Sequence, residues 1–83
     1  MKYNRIYEIL NNDLNDLLSL NTFYDAKSVN SDQVRYYINI CQYLINRLTT
    51  LDNEKEFNPF YEKEAEAIAI VFYSLHQEIK KLF

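Results

Sequence analysis

Three stretches of the chain alternate apolar and polar residues with the period of an α-helix. In the last, Tyr61, Ala65, Ile68, Phe72, Leu75, Ile79 and Leu82 recur at spacings of four and three. That spacing sets them on one face of a helix turning about 100° per residue. Asn58 is placed to cap its start, with Pro59 at the first helical position, where a missing N–H costs nothing. Glu62, Glu64 and Glu66 fall in the first two turns and Lys80 and Lys81 in the last, the order that complements the helix dipole. The pattern predicts a helix over 59–82. The apolar run 67–73, AIAIVFY, reads alone as a buried strand. It lies inside the longer helical pattern, however, and no second strong strand exists to pair with it.

The first stretch repeats Tyr3, Tyr7, Leu10, Leu14 and Leu17, with Ile6, Ile9, Leu18 and Leu20 on the flanks, and predicts a helix over about 2–20. The second carries Val34, Ile38, Cys41, Ile45 and Leu48 beside a stripe of Tyr37, Leu44 and Leu51, and predicts a helix over about 32–51. Its apolar arc, about 160° wide, is broad enough to touch both other helices. Between the first two helices runs a polar connector, 21–31, longer than the usual two to eight residues of a bundle. It is expected to cross the bundle or to form a short helical turn of its own. Asn30 or Ser31, with Gln33, offers a cap for the second helix. Residues 52–57, DNEKEF, predict a short charged turn. The expected architecture is all-α: a small three-helix antiparallel bundle forming one domain.

Some residues do not fit a bundle that faces only itself. With Ile68 at the centre of the buried face, Ile70 projects to roughly the opposite side, and Tyr73 stands about 140° from centre. A helix apolar on more than one side is buried on more than one side, which points to a second molecule. On the second helix, Tyr36, Tyr43 and Arg47 lie beyond the edge of the apolar arc. Tyrosine and arginine are enriched at interface hot spots, although tyrosines at a core's rim are also ordinary packing residues. Asp13 points into the apolar arc of the first helix. Either it reaches water at the edge, or it has a buried partner such as His76, Arg47 or a tyrosine hydroxyl, because a lone buried carboxylate is costly.

Composition narrows the picture. A chain of 83 residues buries a modest share of its surface, and domains this small lean on staples or on association. One cysteine excludes an internal disulfide, and no Cys/His cluster suggests a structural metal. The chain holds no glycine, which argues against tight hairpins, a P-loop and a dinucleotide fold. The net charge of −3 is uneven: residues 1–51 carry five basic and five acidic side chains, and residues 52–83 carry four and seven. The excess sits in Asp52, Glu54, Glu56, Glu62, Glu64 and Glu66, an acidic surface poorly suited to phosphate. No stretch approaches the ~20 apolar residues of a membrane span, and the first residues hold no long apolar run, so the expected location is cytoplasmic.

Catalytic chemistry finds little support. Cys41 sits at the centre of an apolar face, where a thiol is inert. His76, the single histidine, lies at the margin of the third helix's apolar face with nothing at helical spacing to complete a site. The carboxylate pairs Glu62/Glu66 and Asp13/Asp16 lack the Glu-x-x-His repeats of a di-metal bundle. The expectation is therefore a non-enzymatic protein–protein interaction module without cofactor, a small inhibitor or regulator acting as a homodimer. Its aromatic–apolar helical surface and acidic turn would meet a protein partner. The alternative is a small DNA- or RNA-binding regulator, in which a dimer assembles a basic groove from Lys2, Arg5, Arg35 and Arg47.

Overall fold

The computed structural model describes residues 3–23 and 31–82, and of residues 21–23 and 31 the backbone alone. Three helices run in order: α1 (Asn4–Phe23), α2 (Ser31–Glu54) and α3 (Tyr61–Lys80). Residues 67–73 are helical, and the described residues contain no strand. The chain runs up, down and up. Arg47, late in α2, meets Glu64 at the start of α3, while Tyr3 meets Tyr61 and Asp13 meets His76 as α1 and α3 rise side by side. The bundle is slender, 47 × 19 × 19 Å. As its broad apolar arc requires, α2 packs on both neighbours more extensively than α1 and α3 pack on each other.

The core is one continuous cluster drawn from all three helices. In α3 the buried line is Ala65, Ile68, Phe72, Leu75 and Ile79, with Tyr61 and Leu82 half-buried at its ends. Phe72, Leu10, Leu17, Leu51, Ile79, Val34 and Cys41 are the largest side chains fully withdrawn from water. In α1 the buried line differs from the line of greatest apolarity. It runs Tyr3, Ile6, Leu10, Asp13 and Leu17, while Tyr7 and Leu14 are half-buried on the flank. The helix is turned so that one edge of its face meets α2 and the other meets α3, and this brings Asp13 inside.

The helix ends depart from the sequence pattern for identifiable reasons. α1 continues to Phe23, past the expected end near 20, so the connector is shorter than the pattern implied. A helical turn within 24–30 lies outside the described residues. α2 runs on to Glu54 rather than stopping near 51, because nothing directly after Leu51 breaks a helix. It gives way to a turn closed by Phe57 N–H donating to the Glu54 carbonyl at 2.8 Å, and Pro59 then disfavours a return to helical backbone at Asn58. Asn58 Oδ1 accepts from Phe60 N–H at 2.9 Å, a bond that lies ahead of the helix: the N-cap position falls on Phe60, which makes no side-chain cap bond, so Asn58 does not cap α3 as the pattern predicts. The turn it opens is tight, with Tyr61 N–H reaching the Asn58 carbonyl three residues back. Regular α geometry therefore begins at Tyr61, not Pro59, and it ends at Lys80 in another tight turn, Leu82 N–H to the Ile79 carbonyl.

Phe72 is the side chain on which this core is most exposed to test. Its ring is fully buried, 5.3 Å from Tyr73 and 5.5 Å from His76, centroid to centroid. Phe72→Ala is expected to cost about 3–5 kcal/mol of folding stability, measured by urea denaturation.

Candidate functional site: a buried polar layer and an apolar surface

Asp13 of α1 and His76 of α3 meet midway along the bundle. His76 Nδ1 lies 2.6 Å from Asp13 Oδ2, and their side chains are 20% and 10% exposed. A carboxylate only accepts, so the imidazole nitrogen facing it carries the proton and donates. The distance is that of a charge-assisted bond. The imidazole also stacks on Phe72, with the ring planes 23° apart. Of the partners open to Asp13 from the sequence, the structure selects His76, and the carboxylate does not rely on water at the arc's edge.

Cys41 of α2 lies within reach of the charge of Asp13. It is fully buried, and burial, reinforced by the negative charge of Asp13, pushes its thiol from an ordinary value of 9.0 to about 11. A thiolate is the nucleophilic form, so this thiol is neutral at physiological pH and out of contact with solvent. Asp13 thus bonds His76 and bears on Cys41 through its charge. Among the described residues, no group of His, Cys, Asp or Glu is arranged to hold a metal ion, and no helix is long and apolar enough to cross a membrane.

The surface is unusual in a different way. Ile70 is 70% exposed, Tyr73 56%, Tyr43 64% and Tyr36 62%. The structure divides these residues instead of gathering them. Viewed down α3, Ile70 stands at the apex away from the core. Tyr73 leans to the α1 side, the side of His76, and Val71 leans to the α2 side, the side of Glu64. Tyr43 and Arg47 line a shallow groove between α2 and α3 with Glu64, Ala67 and Ile68. Arg47 is held there by its ion pair with Glu64, and Tyr36 lies two turns away on α2, its ring 6.0 Å from Tyr37. Of the basic residues grouped from the sequence, Arg5 and Arg35 are exposed, on different helices, and Lys2 lies outside the described residues.

At the lower end of the bundle, Glu54 and Glu56 are exposed, and Lys55 lies 3.6 Å from Asp52. Glu62 and Glu66 continue the acidic surface onto α3, with Glu62 Oε2 accepting from the Tyr3 hydroxyl at 3.2 Å. Two aromatic rings in this turn escape a reading by periodicity. Phe57 is 86% exposed and Phe60 58%, with Lys63 Nζ 6.0 Å from the centroid of the Phe60 ring. Neither ring falls on an apolar stripe. The available signal was the presence of two phenylalanines around a proline in an otherwise charged turn.

The polar layer can be tested in two ways. Removing either partner strands the other, so Asp13→Ala and His76→Ala are each expected to cost about 2–3 kcal/mol. The double variant should cost less than their sum by about 1–2 kcal/mol, read from a double-mutant cycle of urea midpoints. Cys41 predicts an alkaline loss of stability. Above pH 9 the unfolded chain gives up its thiol proton while the folded chain keeps it to about pH 11. Stability therefore falls across that interval by roughly 2–3 kcal/mol relative to Cys41→Ala, measured by denaturation at each pH. No protein-family model, curated protein or solved structure matches this chain, so its geometry carries the functional reading.

Proposed function

We propose that the protein is a non-enzymatic protein–protein interaction module, a small inhibitor or regulator that docks on a protein partner. The observation that carries this reading is the excess of large apolar side chains outside a complete core. Phe57, Ile70, Tyr43, Tyr36, Phe60, Tyr73 and Val71 are each half exposed or more, on a chain with a continuous buried cluster of its own. Aromatic side chains on a rigid scaffold are the usual anchors of an interface.

The partner site of this reading comprises Phe57 and Phe60 with the acidic turn, together with Tyr36 and Tyr43 on α2. The charge of the turn supports a basic partner surface. Glu54 closes α2 with no basic residue in its last turn and there opposes the helix dipole, at a cost of about 0.3–1 kcal/mol, while Asp52 is answered by Lys55 just beyond the helix. A basic surface docked on this end relieves that repulsion. A nucleic-acid partner fits less well, because Arg47 already pairs with Glu64 and the acidic end repels phosphate.

The test uses the immobilised chain beside two variants, Phe57→Ser with Phe60→Ser and Tyr36→Ser with Tyr43→Ser. The reading expects a partner held by the original chain and lost, by tenfold or more in Kd, with one of the two variants, measured by titration with the purified partner. Capture profiles identical for all three chains would overturn it.

A further inference from the structure

The outward stripe of α3 carries a pattern that the partner site does not use. Seen along the helix, Glu62, Glu66, Ala69, Ile70, Tyr73 and Lys80 fall within one arc of roughly 100°. The stripe is acidic at the start of the helix and basic at its end. Its middle is apolar, with Ile70 and Tyr73 exposed and Ala69 half-buried beside them.

Such a stripe is complementary to itself when turned end for end. Two α3 helices laid antiparallel, with a two-fold axis near residue 71, set Tyr73 of each against Ala69 and Ile70 of the other. The same axis sets Glu62, whose Oε2 also accepts from the Tyr3 hydroxyl of its own chain, against Lys80 of the other copy, the two residues being about 27 Å apart along each helix at 1.5 Å per residue. Glu66 then falls opposite Gln77, an amide that can donate to it. The axis lies at the middle of α3 (Tyr61–Lys80), so the helices overlap along their whole length with their dipoles opposed. A parallel pairing would instead stack acid on acid and base on base. The same surface patch on both copies is what a two-fold interface requires.

We infer that the outward stripe of α3 is a self-association seam whose occupant is α3 of a second copy of this chain, running antiparallel. It rests on the reading of this chain as an interaction module, and gives α3 to self-association while α2 and the acidic turn serve the partner. A bare helix pair with two apolar residues per copy at its centre is a small interface, so the dimer is weak, with a Kd on the order of micromolar.

The test is sedimentation equilibrium over a hundredfold range of protein concentration, with helicity followed by circular dichroism. The wild-type chain is expected to pass from monomer to dimer. Ile70→Ser with Tyr73→Ser should stay monomeric with unchanged helicity, as both side chains lie outside the core. Lys80→Glu should weaken association tenfold or more, and adding Glu62→Lys should restore most of it, which only the antiparallel arrangement allows. A monomer throughout, a dimer indifferent to Ile70→Ser with Tyr73→Ser, or no recovery in the doubly reversed chain would each overturn the seam. Partner capture by the Ile70→Ser, Tyr73→Ser chain separates the two proposals: retained capture leaves the interaction module standing whatever the seam's fate.

Discussion

A carboxylate inside an apolar bundle has to be answered, and the answer fixes how the helices sit. Asp13 lies on the buried line of α1 between Leu10 and Leu17. Only one arrangement of α3 against α1 brings His76 to it. Sliding α3 by a turn, about 5.4 Å, leaves the charge facing hydrocarbon, which costs far more than the apolar contacts would lose. The two parallel helices share the least contact in the bundle, so directional contacts weigh in their register: this bond at mid-length, and the Tyr3–Tyr61 rings and the Tyr3–Glu62 bond at their base. Apolar packing alone is tolerant of such slips, because its attraction has no direction.

Burial, reinforced by the same carboxylate, explains the state of Cys41. A thiol in a purely apolar layer is already reluctant to ionise, and a carboxylate next to it makes the thiolate less favourable still. Residue types that elsewhere form a nucleophile, a base and its orienting acid thus occur here with the opposite effect. The acid engages the histidine, while the thiol is kept neutral and dry.

Much of the architecture was legible because a helix writes its buried face at a fixed spacing. The α3 line from Ala65 to Ile79 was readable residue by residue, as was the wide arc that makes α2 central. Asp13 marked itself by interrupting an apolar arc, and the sequence put His76 among its partners, although it could not choose between a buried bond and an edge position. That choice depends on how far α1 is rotated, which pits Tyr7 and Leu14 against Ile6 and Asp13, and apolarity alone favours the wrong pair. The ends were less legible. A chain without glycine lacks the usual stop signal, so α2 runs three residues beyond its last buried leucine, to Glu54. Phe57 and Phe60 were invisible to periodicity because they lie between helices.

Among the described residues no backbone lies in the left-handed region, and none of the peptide bonds is cis. The turn from Glu54 to Tyr61 is therefore made without any residue chosen for unusual stereochemistry. Pro59 keeps Asn58 out of helical backbone and Asn58 supplies one hydrogen bond, but the positions of Phe57 and Phe60, both exposed, accept almost any side chain without harm to the fold. Substitution there is nearly neutral for stability and so open to rapid change. The acidic, aromatic end of the rod can be rewritten while the bundle beneath it stays the same.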